Sequence, residues 1–179
     1  MARMPGAPDR TSPSRPGVAI AVGGAAAGAL DILGAFAVYW PAPPAGILRS
    51  IAAGVLGTAT ARNGGASTAA LGLLLHFVIA CGAAAVFVAA CRVAPGLARR
   101  PWLTGPLYGL AVFVTMNYVV IPWSAIGRWP GPWSTTTLLV VAIHVIGVGP
   151  SIVLAARRWA VSLPQPRPSS SREAVAASR

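Results

Sequence analysis

Four side chains stand out as able to do chemistry in an otherwise apolar chain: Asp31, His76, Asn117 and His144. Each is the conspicuous polar residue of its own long apolar run. An aspartate and two imidazoles at one level can exchange protons near neutrality, and intramembrane ionisable groups commonly face protein or water. Two histidines on different helices can also act as axial haem ligands, and a carboxylate can join them on a metal ion. The structural alternative is interhelical glue. Asn and His side chains bond across helices and fix register, at ~0.6 kcal/mol per bond on average, with Asp31 paired to an imidazole. No HExxH or CxxCH accompanies the two histidines, so no cofactor and no metal ligand is assigned. Neither a GxSxG nor an Asp–Glu pair suited to acid/base work is present, so no catalytic residue is assigned and the chain is not read as an enzyme. Cys81 and Cys91 lie ten residues apart in one run. That separation is ~15 Å of helical rise, too far for a disulfide between them.

Positioning these residues requires four helices. The apolar runs extend over about 17–40, 68–91, 103–124 and 135–156, and ~20 helical residues cross the hydrocarbon of a bilayer. Helices are required because lipid leaves no partner for bare backbone donors and acceptors. The expected fold is therefore all-α: an integral membrane four-helix bundle over 17–158. Between the first two spans, Ile47, Leu48, Ile51, Ala52, Val55 and Leu56 recur at helical spacing, with Arg49, Ser50 and Thr58 among them. This predicts a short amphipathic helix lying on the outer surface or folded over the bundle. Residues 1–16 and 159–179 are rich in Pro, Ser and Arg and are expected to be disordered tails.

Counted at 1.5 Å per residue, Asp31 and His144 fall ~3 Å, and His76 and Asn117 ~5 Å, to the outer side of their span midpoints. Four separate positions converge on one level. Small residues occupy the other half: Gly24 and Gly28 form a GxxxG in the first span, and Gly105 and Gly109 another in the third. Ala83 to Ala85 and Gly147, Gly149, Ser151 and Ala155 continue the pattern. Such faces let backbones approach closely, which predicts a bundle tight on the inner side and looser outside. Pro122 and Pro150 release the carbonyls of Tyr118 and Ile146, which bends a helix or marks a binding site. Ser124 and Thr135 to Thr137 read as helix caps.

Orientation follows the arginines, which supply all fourteen basic residues. Eleven fall on one side: Arg3, Arg10, Arg15, Arg92, Arg99, Arg100, Arg157, Arg158, Arg167, Arg172 and Arg179. Arg49, Arg62 and Arg128 fall on the other. The positive-inside rule places both tails in the cytoplasm. Tyr39, Trp40, Trp123, Trp129 and Trp133 gather at the outer boundary, and Trp102, Tyr108 and Trp159 at the inner one, as an interfacial aromatic belt. A cleavable leader ending near Ala35-Phe36-Ala37 is disfavoured, because the run contains Asp31 and exceeds a usual leader core. Only 9% of residues are charged, against 55% hydrophobic, too few for the surface of a water-soluble domain, where about a quarter are charged. A net charge of +11 raises nucleic acid as a partner, but the arginines form no stripe interleaved with aromatics, so no nucleic-acid partner is expected. The expected partners are the lipid bilayer and either another membrane protein or a second copy of the chain, as a homo-oligomer. Arg in place of Lys, with heavy Ala, Gly and Pro use, points to a GC-rich bacterial genome.

Several stretches carry a family resemblance: Leu30-Asp31-Ile32, residues 51–57 (IAAGVLG), residues 71–77 (LGLLLHF), residues 116–122 (MNYVVIP), and His144 through Gly149-Pro150. Together they span about 28 to 158. The pattern resembles a family of bacterial four-helix inner-membrane proteins with no assigned function. The resemblance implies four helices and a shared polar core, and it implies no activity. The expected role is that of a structural or accessory multi-pass protein of the bacterial inner (plasma) membrane. A small proton- or solute-coupled carrier using Asp31, His76, Asn117 and His144 is the alternative, and a haem- or metal-binding redox subunit the third.

Overall fold

The computed structural model describes residues 14–160. Six helices follow one another: α1 Pro16–Val38, α2 Pro44–Leu56, α3 Thr58–Arg62, α4 Ala66–Val93, α5 Pro101–Trp123 and α6 Thr135–Ala160. A single 3₁₀ turn, Pro95–Arg99, joins α4 to α5. Local chemistry sets the boundaries. Pro16, Pro44 and Pro101 sit in the first turns of α1, α2 and α5, where a missing N–H costs nothing and φ is already helical. Gly57 ends α2 at φ 79°, a left-handed conformation that glycine adopts without a Cβ penalty. The cap of α6 is Ser134 rather than Thr135 or Thr136: its hydroxyl accepts from the Thr137 N–H while the Thr137 hydroxyl accepts from the Ser134 N–H, a reciprocal capping box.

Helices α1, α4, α5 and α6 contain 23, 28, 23 and 26 residues. At 1.5 Å per residue even the shortest is ~35 Å long, enough to cross ~30 Å of hydrocarbon. Their flanks leave large apolar side chains outside the bundle, among them Leu33, Leu74, Val86 and Ile146. Water would make such a surface unstable and acyl chains solvate it. The molecule is thus an all-helical, multi-pass membrane bundle.

Each pair of neighbouring helices runs antiparallel. Helix α1 is central, packed on α4 along one face and on α6 along another, and α5 packs on the far side of α6. By contrast α4 and α5 scarcely meet along their lengths. At the far end that gap is covered by α2, which lies along the start of α4 and whose Gly54 carbonyl accepts from the Ala125 N–H beyond α5. The short helix between the first two spans is therefore folded against the bundle, and Ala52 and Ala53 are its buried residues.

The two chain ends correct the expected boundaries. α1 begins at Pro16, and α6 continues through Trp159 and Ala160, with the Arg15 N–H bonded to the Trp159 carbonyl. That bond holds both helix ends in register beyond the stretches assigned to the spans. The remainder of the two tails, 1–13 and 161–179, lies outside the described residues.

The buried core is unevenly placed. Ala19, Ala27, Ala84, Phe87, Val88, Cys91, Ile152, Val153 and Ala156 cluster toward the end where α1 begins and α6 finishes. No residue of Met116–Trp123 or of Thr135–Ile143 is buried. The expected looseness of the other half is thus seen only along α5 and α6; α2 and α3 close that end against α4, with Ala52, Ala53, Ala61, Ala69 and Gly72 buried.

Candidate functional site

The four polar residues divide among three local arrangements, and Asn117 lies about two turns beyond Gly109, the α5 residue that packs on the His144 backbone. Asp31 on α1 faces His144 on α6, with Nδ1 3.6 Å from Oδ1. The same Nδ1 lies 2.9 Å from the Val140 carbonyl one turn earlier. Two oxygen acceptors face this nitrogen, so it is the one that carries the hydrogen, and Nε2 is left as the ring's proton-accepting position. His144 is 7% exposed, whereas the Asp31 side chain retains 29%.

His76 takes the opposite tautomer. Its Nε2 donates to the Gly28 carbonyl at 2.8 Å, which ties α4 to the backbone of α1. Gly28 lies three residues before Asp31, less than one helical turn. Asn117 bridges nothing: its Nδ2 donates to the Phe113 carbonyl, 2.9 Å away on the same helix. The single four-residue cluster envisaged from depth alone is thus resolved into one Asp–His contact, one helix-to-backbone link and one local bond. Side-chain direction is the reason, since depth places a residue along a helix but leaves its angle around the axis open.

The small residues supply that angle. Gly105, Gly109, Phe113 and Asn117 recur every four residues and share one face of α5. A methyl group on Gly109 would collide with the His144 carbonyl, and one on Gly105 would come within 3.0 Å of the Pro150 Cα. Phe113 presents an edge-to-face ring contact to His144 at 5.6 Å between centroids, and it meets Trp133 at 6.3 Å. His144 is held by Gly109 against its backbone, Phe113 against its ring and Asp31 against its Nδ1. On α1, Gly24 packs on Cys81, where an added Cβ would lie 2.6 Å from the cysteine Cα. Gly28 packs on the Phe77 ring, so it serves both as a small packing residue and as the acceptor for His76.

Both prolines near the site act through wide turns. Met116–Val120 and His144–Val148 are π-helical, with the Ile121 N–H bonded to the Met116 carbonyl and the Gly149 N–H to the His144 carbonyl. Pro122 and Pro150 follow immediately downstream. A π-turn inserts one extra residue before the ring and re-aims the side chains it contains. Asn117 and His144 lie within these turns.

Two contributors were not evident from the sequence. Phe113 reads as one more lipid-soluble ring, although its place four residues before Asn117 could have marked it. Tyr108 reads as part of the interfacial belt, yet its hydroxyl donates to the Ala83 carbonyl at 2.6 Å and its ring packs on Phe87. It bonds inside the bundle because α4 and α5 are otherwise separated there. Every buried side-chain N or O atom among the described residues has a hydrogen-bond partner. No group of three or more His, Cys, Asp or Glu residues suited to a metal ion occurs among the described residues. Cys81 and Cys91 are both free thiols. No family model, no curated protein and no solved structure matches the chain.

Proposed function

We propose that this chain is a structural or accessory multi-pass protein of a bacterial inner membrane, with both tails in the cytoplasm, and that it belongs with the four-helix family it resembles. The observation that carries the structural reading is the way the polar groups are used. His76 bonds α4 to the α1 backbone, and Asp31 meets His144 across the α1–α6 contact. Groups consumed in holding helices together are partners to each other before they are partners to a ligand. The orientation rests on Arg15, Arg92, Arg99, Arg100, Arg157 and Arg158 at one end of the bundle, against Arg49, Arg62 and Arg128 at the other.

A small proton- or solute-coupled carrier is the second reading, favoured by the partial exposure of Asp31 beside an imidazole. Those two groups form a minimal proton-exchange pair. A haem or metal subunit has less support, because His76 and His144 engage different partners. A purified protein without a Soret band removes the haem version.

Asp31→Asn distinguishes the first two readings. The variant and the parent chain are reconstituted into vesicles containing a pH-sensitive dye, and a potassium diffusion potential is applied. A structural role predicts no protein-dependent proton flux in either and a thermal midpoint in detergent that changes little. Flux through the parent chain that disappears in the variant would replace the structural reading with the carrier.

A further inference from the structure

The arginine-rich end contains a cavity that the reading above does not use. It measures about 250 Å³ and opens to one side, with Val88, Cys91 and Pro95 among its lining residues and Ser14, Arg92 and Ala160 around it. The start of α1, the end of α4 and the end of α6 converge there, joined by the bond from Arg15 to Trp159. Val88 and Cys91 are buried, so the floor is apolar and rigid. Arg92 is exposed at its edge.

Charge at this end is uncompensated. Arg15, Arg92, Arg99, Arg100, Arg157 and Arg158 are gathered here, and Asp31 is the single acidic residue among the described residues. Asp31 is engaged by His144 in the other half of the bundle. Of these arginines, Arg158 places its guanidinium over the Trp159 ring at 5.7 Å, which holds its charge beside α6. No side chain caps the first turn of α1 and no acidic residue lies in it, so the positive end of that helix dipole adds to the same field.

We propose that the cavity is a binding site for the headgroup of an anionic phospholipid. The phosphate pairs with the Arg92 guanidinium, which suits phosphate oxygens in a forked, charge-assisted geometry. The Ser14 hydroxyl is a further donor at the rim. The glycerol portion rests on the apolar floor, and the acyl chains run down the lipid-facing flank of the bundle. The volume suits a headgroup: it is smaller than the ~300 Å³ at which pockets begin to enclose a whole drug-sized ligand, and the cavity is partly open. Basic pockets between helices at the level of the headgroups are where anionic lipids are recognised. This site is independent of the role assigned to Asp31 and the histidines.

The test uses the full chain in a neutral detergent, titrated with short-chain phosphatidylglycerol, phosphatidylcholine or inorganic phosphate while thermal unfolding is followed. Phosphatidylglycerol should raise the midpoint saturably, and the other two should not. Arg92→Gln should weaken the apparent affinity roughly fivefold, the factor one basic residue contributes beside an anionic surface. Arg92→Lys should recover part of it, and Arg128→Gln at the far end should leave it unchanged. An Arg92→Gln titration identical to that of the parent chain, or equal losses in the Arg92 and Arg128 variants, would overturn the site. A saturable shift with inorganic phosphate alone would overturn the lipid assignment.

Discussion

At the residue scale the polar side chains differ in what they hold. His76 spans two helices, whereas Asn117 bonds only within its own turn. Removing them should therefore have unequal effects, even though both are polar groups within apolar spans. His76→Leu deletes a link between α4 and the α1 backbone and leaves the Gly28 carbonyl without its side-chain donor. A loss of about 1–2 kcal/mol is expected, the upper range for interhelical hydrogen bonds in membranes. Asn117→Leu removes a bond that competes with no helix contact, and the stability should hold within ~0.5 kcal/mol, as for positions lacking a buried network. Reversible unfolding in mixed micelles measures both. Equal losses would mean that Asn117 has an interhelical partner or that the His76 bond contributes nothing.

At the scale of the elements, close backbone approach organises the bundle. Gly109 and Gly82 are both helical glycines, but Gly109 is pressed against the His144 carbonyl and Gly82 has nothing within 4 Å. Gly109→Ala should cost about 1–3 kcal/mol through overpacking. Gly82→Ala should be neutral or stabilising by up to ~1 kcal/mol, because alanine restricts the chain less unfavourably in a helix. Unfolding midpoints of the two variants check the contrast, and a harmless Gly109→Ala would deny the tight α5–α6 contact. Helix α2 invites a parallel experiment. A side chain on Gly72 would strike the Leu48 carbonyl, so Gly72→Val should lift α2 from α4 while leaving α1 and α6 packed. Hydrogen exchange should then rise over residues 44–56 and stay protected over 16–38. Uniform exchange in both segments would show that α2 is not separately docked.

At the scale of the whole molecule, four spans put the start of α1 and the end of α6 at the same end of the bundle, where Arg15 bonds to Trp159. Reporter fusions after Arg179 and within the 125–133 connection should give opposite signals, with the C-terminal fusion reporting the cytoplasm. A cytoplasmic signal from the 125–133 connection would invert the orientation, and matching signals from both would change the number of spans. The same scale explains the uneven core. The end with Ala27, Ala84, Ile152 and Val153 packs the spanning helices on one another, whereas at the other end Met116–Trp123 and Thr135–Ile143 bury no residue and the buried positions are Ala52, Ala53 and Ala61 of α2 and α3 and Ala69 and Gly72 of α4. Gly24, Gly105 and Gly109 let the spanning helices approach closely at the first end, and Gly72 lets α2 do so on α4 at the second.

The amino-acid order alone determined that four apolar segments are long enough to cross a membrane, that a short amphipathic helix lies between the first two, and that Asp31, His76, Asn117 and His144 are the conspicuous polar residues of the four spans. These properties depend on length, hydropathy and rise per residue, all of which are local and one-dimensional. Tertiary structure decided which of those residues meet. The pairing of Asp31 with His144, the turn of His76 toward Gly28 and the closure of the α4–α5 gap by Tyr108 and α2 all depend on rotation about helix axes. That rotation is set by where glycine permits contact and by how the π-turns ahead of Pro122 and Pro150 re-aim the side chains within them. In an alanine- and glycine-rich chain many faces are small enough to pack, and only the assembled bundle selects among them.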